Sequence, residues 1–122
     1  MTLANVIRCG LLLCISTSMN AAPKFSCAEE IASRTTTCID LNNVRQNGDL
    51  RASQLYRGGP KNVRPTGHFF VADCKKDIAA MQDGDGVNLF AGPFTATNTS
   101  KELAYAICAA PRVRKDSTIT MF

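Results

Sequence analysis

The chain has a single histidine, His68, in 122 residues, so two imidazoles cannot share general acid and general base work. It has no Cys-x-x-Cys pair, and one histidine does not complete the usual four-ligand zinc set. A calcium loop is missing as well. In Asp83-Gly84-Asp85-Gly86-Val87 a valine stands where a third oxygen ligand belongs, and no glutamate follows at the required distance, so the segment reads as a turn. No apolar run approaches the ~20 residues of a membrane-spanning helix. The formal net charge is only +4, too little to imply nucleic acid as a partner.

What is present begins with a leader. Arg8, the short apolar run Gly10 to Ile15 and the small residues of Met19-Asn20-Ala21-Ala22 form a secretory signal peptide. Residues 1–21 are therefore expected to be removed, leaving residues 22–122 as a single secreted, extracellular domain; losing Arg8 takes the net charge from +4 to +3. Cys9 and Cys14 leave with the leader. Cys27, Cys38, Cys74 and Cys108 remain, an even number in a short secreted chain, which implies two disulfides with three possible pairings. The expected pairing is Cys27 with Cys38 and Cys74 with Cys108, because each joins neighbouring elements. A domain this small buries only about two-thirds of its unfolded surface, so two bridges of roughly 2 to 4 kcal/mol each are a large share of its net stability. The apolar ending Met121-Phe122 reads as that of a shortened version of something longer.

The expected fold class is α+β: a small disulfide-stabilised domain with three short helices packed on a mainly antiparallel sheet. Ser26 and Glu29 form a capping box that predicts a first helix through Ala32, with Glu29 and Glu30 as partners of its dipole. Thr37 to Leu41 reads as a strand and Gln46-Asn47-Gly48-Asp49 as a turn. Lys61 to Gly67, polar and containing Pro65, suits a surface loop; His68 to Val71 is a strand, with His68 at its edge. Asp73 caps an expected second helix from Cys74 to Gln82, with Cys74, Ile78 and Met81 on one face. Val87 to Thr97 is a strand-like region with Leu89, Phe90 and Phe94 as its bulk. Thr99 and Glu102 open a third helix that buries Leu103, Ile107 and Ala110, and Pro111 stops it. Arg112, Arg114 and Lys115 form a basic turn before a final strand from Ser117 to Phe122. Leu103, Ile107 and Phe90 are expected core.

The stretch that draws a functional reading is Leu55-Tyr56-Arg57-Gly58-Gly59-Pro60. An arginine at a strand end presents a planar fork of donors to a phosphate or carboxylate, and glycines behind it let a ligand approach the backbone. The structural reading of the same residues is a strand running into a turn.

This stretch, a helical middle, the run Phe94-Thr95-Ala96-Thr97 and a helix beginning Ser100-Lys101-Glu102-Leu103-Ala104 together resemble the first half of the heat-labile-enterotoxin and pertussis-toxin type of mono-ADP-ribosyltransferase A chain, over Leu55 to Phe122. The resemblance implies NAD as cofactor. Arg57 of the Tyr56-Arg57 opening would help hold its phosphates. Thr95 and Thr97 would stand where a Ser-Thr-Ser run braces the nicotinamide pocket. Two departures matter: Gly59 replaces the usual aspartate, and the glutamate-containing segment such enzymes carry farther along is absent, since Asp116 is the only acidic residue beyond Glu102. A fixed carboxylate stabilises the cationic ribosyl centre, and losing such a group costs on the order of a hundredfold or more. The implied protein is a toxin-like relative with an incomplete catalytic set.

The competing class is a non-enzymatic secreted effector or inhibitor, a monomer that acts in virulence or competition by binding a host or competitor protein. Phe25-Ser26-Cys27 resembles the aromatic-x-Cys start of some secreted fungal effector candidates. Asn98-Thr99-Ser100 is an N-glycosylation sequon, and a glycan on Asn98 would sit at the junction that the nucleotide reading needs open.

Overall fold

The computed structural model describes residues 22–30, 33–58 and 62–121. The expected leader, residues 1–21, lies outside them, as do Gly59 and Pro60. The strands are β1 (Phe25–Glu30), β2 (Thr35–Asp40), β3 (Val44–Asn47), β4 (Leu50–Arg57), β5 (Arg64–Asp73), β6 (Ile78–Gln82) and β7 (Asn88–Pro93). A 3-10 turn (Phe94–Ala96), helix α1 (Asn98–Cys108) and strand β8 (Val113–Lys115) follow. All eight strands form one sheet, antiparallel throughout except where β8 runs parallel to β3.

The long central strand β4 organises the sheet. One side pairs with β5; the other is shared, Leu50 to Ala52 with β3 and Leu55 to Arg57 with β2. The break between β2 and β3 is held by Asp40, whose carboxylate accepts from the Asn42 N–H at 2.9 Å and the Lys24 N–H at 3.0 Å. That pairing satisfies a side chain only 7% exposed.

Alternation along the strands gives two faces. On one, Ile39, Leu55, Phe70, Ala72 and Ala79 pack against Phe94, against Leu103, Ala104 and Ile107 of α1, and against Ala110 just beyond its end. On the other, Ala52, Val71 and Ala80 pack against Ile119 and Met121. The helical stripe is where its spacing put it. The helix starts earlier than expected, however. Its N-cap is Thr97, whose hydroxyl accepts from the Ser100 N–H at 2.9 Å.

The mainly antiparallel sheet and both expected disulfides are present, Cys27–Cys38 and Cys74–Cys108. Two of the three expected helices are not. The Ser26 capping box lies in β1, because Cys27 faces Cys38 directly across an antiparallel pair with Cα atoms 4.0 Å apart; six residues with a β-branched partner strand, Thr35-Thr36-Thr37, settle as a hairpin. Asp73 does cap a turn, accepting from the N–H groups of Lys75 and Lys76, both at 3.0 Å. The turn stops at Asp77, whose φ of 58° is left-handed, and Ile78 to Gln82 continue as β6 with side chains on alternate faces.

Other boundaries also move. Part of the expected loop belongs to β5, where Pro65 is tolerated beside an interruption of the β4–β5 ladder. Gln46 and Asn47 end β3 instead of beginning a turn, and the basic residues Arg114 and Lys115 lie in β8. Ser117 to Met121 cross the sheet without forming a strand. Phe90, expected as core, is 46% exposed, because β7 is an edge strand.

Candidate functional site

Where α1 begins, a cavity of about 140 Å³ opens between helix and sheet. Leu55, Phe70, Ala79 and Met81 of the strands and Leu103 of the helix give it mainly apolar walls, and Phe90 stands on the same lining. Its polar groups come from Thr37, Arg57, Thr66, His68, Thr97, Thr99 and Ser100.

Three local features bring these side chains together. First, β4 and β5 change register between Gln54 and Tyr56, so that Thr66, Gly67 and His68 stand against the single residue Leu55. Gly67 takes a φ of 82°, and the Thr66 hydroxyl donates to the Leu55 carbonyl at 2.9 Å while accepting from the His68 N–H at 3.1 Å. This irregularity places both Thr66 and His68 on the cavity lining, as bulges commonly re-aim side chains. Second, β4 ends at Arg57, which is exposed and joins no ion pair among the described residues. Gly58 then turns the chain at φ 113°, and a Cβ there would collide with the carbonyl oxygen of Asn62. The bare Cα of Gly58 thus serves the turn behind the arginine. Third, the first turn of α1 presents Thr97, Thr99 and Ser100. The Thr99 hydroxyl donates to the Glu30 carboxylate at 2.9 Å, tying the helix start to the end of β1.

Ser100 is only 6% exposed, and among the described residues its hydroxyl has no hydrogen-bond partner, although its backbone N–H is capped. A buried hydroxyl without a partner is uncommon and calls for an explanation.

Arg57 and Thr97, singled out from sequence, line this one cavity. Tyr56 and Thr95 are not on its lining. Tyr56 points to the other side of the sheet, its ring edge-on to Phe25 at 4.9 Å, and its hydroxyl donates to Gln54 at 3.4 Å. Partial burial, and next the negative charge of Asp40, raise its pKa above the usual phenol value. Thr95 is exposed in the 3-10 turn. Asn98 is the exposed first residue of α1, with its amide 3.5 Å from the Glu102 carboxylate. Thr66, His68 and Ser100 were not picked as site residues. The Thr66-Gly67 pair inside a strand, and the hydroxyls of Thr97 and Ser100 one helical turn apart, were the available signals.

A second concavity on the opposite face contains Arg45, Phe69, Asp83 and Asp116. Arg45 lies 3.1 Å from Asp116 and over the ring of Phe69 at 5.7 Å, while the Asp83 carboxylate accepts from the N–H groups of Asp85 and Val87. Among the described residues no group of three or more His, Cys, Asp or Glu is placed to hold a metal, and no helix is long and apolar enough to cross a membrane.

Comparison with family models, with curated proteins and with solved structures gives no match.

Proposed function

We propose that this is a secreted, effector-like protein that binds a phosphorylated, nucleotide-type ligand at the start of α1, with the ring end of the ligand in the apolar cavity and its phosphate at Arg57. The observation that carries the reading is the convergence, on one apolar cavity, of an arginine and a buried serine hydroxyl that have no side-chain partner among the described residues. A cavity near 150 Å³ lined by apolar side chains accommodates a benzene-sized ring, and this one measures about 140 Å³. It therefore takes one ring of a dinucleotide, and the remainder lies across the mouth. Ser100 supplies a hydrogen bond to a polar substituent of that ring, and Arg57 a charge-assisted contact to phosphate. The resemblance to ADP-ribosyltransferase A chains makes NAD and ADP-ribose the first ligands to test. Two disulfides suit an oxidising, extracellular setting.

Calorimetry with NAD, ADP-ribose and inorganic phosphate on the wild type and on Arg57→Ala tests the proposal. Weak binding of the two nucleotides is expected, lost in the variant while its unfolding midpoint is unchanged. Transfer of label from NAD to protein by this 122-residue chain should be undetectable, because residues 103–122 contain no glutamate. Absence of binding to the wild type would leave the protein-binding effector as the better reading.

A further inference from the structure

The imidazole of His68 takes no part in the contacts that hold the fold. The backbone N–H of His68 donates to the Thr66 hydroxyl at 3.1 Å, but among the described residues the ring makes no hydrogen bond and no ion pair. The residue is half-buried, on the lining of the cavity at the start of α1. What puts it there is the register change, in which Thr66, Gly67 and His68 share the place opposite Leu55 and Gly67 takes a left-handed φ of 82°. The strand forgoes regular pairing at this point, and the effect is to present a hydroxyl and an imidazole on the cavity wall.

The charges around the ring are of one sign. Side chains from β2, β4, β5, β6, β7 and the start of α1 line the cavity, and apart from His68 itself the only ionisable one among them is Arg57. Leu55 and Arg57 stand two residues apart on β4 and both line the cavity, so guanidinium and imidazole border it from adjacent strands. Arg64, in register with Arg57, is exposed and adds no acid. No carboxylate lines the cavity. Glu30 of β1 accepts from the Thr99 hydroxyl at 2.9 Å, Glu102 and Lys101 of α1 are off the lining, and Asp83 beyond β6 borders the concavity of the opposite face.

Histidine is the side chain that ordinarily changes charge between about pH 5 and pH 8. An imidazolium beside a guanidinium is repelled while the cavity is empty and compensated once an anion lies against both, so ligand and proton favour each other's binding. We propose that His68 is the second phosphate-binding residue of this site and makes binding pH-dependent, the protonated ring joining Arg57 on a pyrophosphate whose two adjoining phosphates offer acceptors to both cations. This rests on the nucleotide-type ligand proposed for the cavity and adds a proton that enters with it. Protonation supplies the second positive charge, so affinity rises as pH falls.

ADP-ribose is the probe, because its pyrophosphate diester keeps its charge across this range. Calorimetry on the disulfide-bonded protein at about pH 5.5, 6.5 and 8, each in two buffers of different ionisation enthalpy, reads both the affinity and the protons taken up. Binding is expected to be about tenfold tighter at the lowest pH than at the highest, roughly 1.4 kcal/mol, with proton uptake on binding. His68→Gln should bind at every pH as weakly as the wild type does at the highest and take up no proton. His68→Arg, cationic throughout, should bind at the highest pH as tightly as the wild type at the lowest. Should His68→Gln fail to fold, His68→Arg and the wild-type proton uptake carry the same comparison. Wild-type binding that is independent of pH and takes up no proton, or a pH dependence that persists in His68→Gln, overturns the role of His68 and leaves the nucleotide ligand in place. Absence of wild-type binding at every pH overturns both.

Discussion

The two faces of the sheet are covered by unlike means. On one face an eleven-residue helix buries Leu103, Ala104 and Ile107 at 2% exposure or less. Its end is fixed twice: by Cys74–Cys108, and by Arg51, which donates to the carbonyls of Ile107 and Cys108, both at 3.0 Å, and of Ala110 at 3.1 Å. On the other face five residues without regular structure rest two apolar side chains on alanine and valine and are clipped by three amides. The difference shows where stability is concentrated. The helical face is closed by covalent and fully buried groups at its far end, which leaves the start of α1 free to border a cavity. The other face is closed by two buried apolar side chains, Ile119 and Met121, and by side-chain amides.

The sharpest way to break the comparison uses the same residue type on each face. Ile107→Ala should destabilise by about 2 to 5 kcal/mol, because a residue held under a pinned helix leaves a cavity that cannot collapse. Ile119→Ala should fall at or below the low end of that range, about 2 kcal/mol, since a segment outside regular structure can settle into the gap more readily than a pinned helix can. Urea midpoints decide it; equal losses would mean that the segment is as rigid as the helix.

Arg51 is the next lever. Arg51→Leu should cost about 1 to 3 kcal/mol by leaving carbonyls at the helix end without their donor. Arg57→Leu, six positions along the same strand, should cost little, because that exposed guanidinium joins no ion pair among the described residues. A thermal scan of both variants checks the contrast. Thr97→Ala then tests the open end of the helix: loss of the cap should cost about 1 kcal/mol, read from denaturant midpoints.

The smallest effect is expected just before Ser117 to Met121. The Thr118 hydroxyl and then its N–H donate to Asp116 and hold that carboxyl below its ordinary value of 3.8, with lesser help from Arg45 and Arg114. A carboxyl depressed in the folded state binds its proton more readily when unfolded. Its contribution is therefore complete above pH 3.8 and lost as pH falls from there through the folded value. Asp116→Asn should remove that part of the acid decline in stability, a small change because solvent screens a charge near the surface.

The sequence alone carried information wherever a signal was local and long enough to repeat. The buried face of α1 at Leu103 and Ile107, continued by Ala110 just past the helix end, was legible because apolar positions recur there at helical spacing. The cysteine pairing was legible through the order of neighbouring elements, and Arg57 through its place between a strand and a glycine turn. Tertiary structure decided the rest, for reasons of pairing. Ser26 to Glu29 satisfies a capping rule in isolation, yet Cys27 opposite Cys38 makes it a strand. Phe90 has a core residue's composition, but its strand acquired no outer neighbour and left it half exposed. The cavity depends on a register change opposite Leu55 that no run of residue types announces, because a bulge is defined only by the strand across from it.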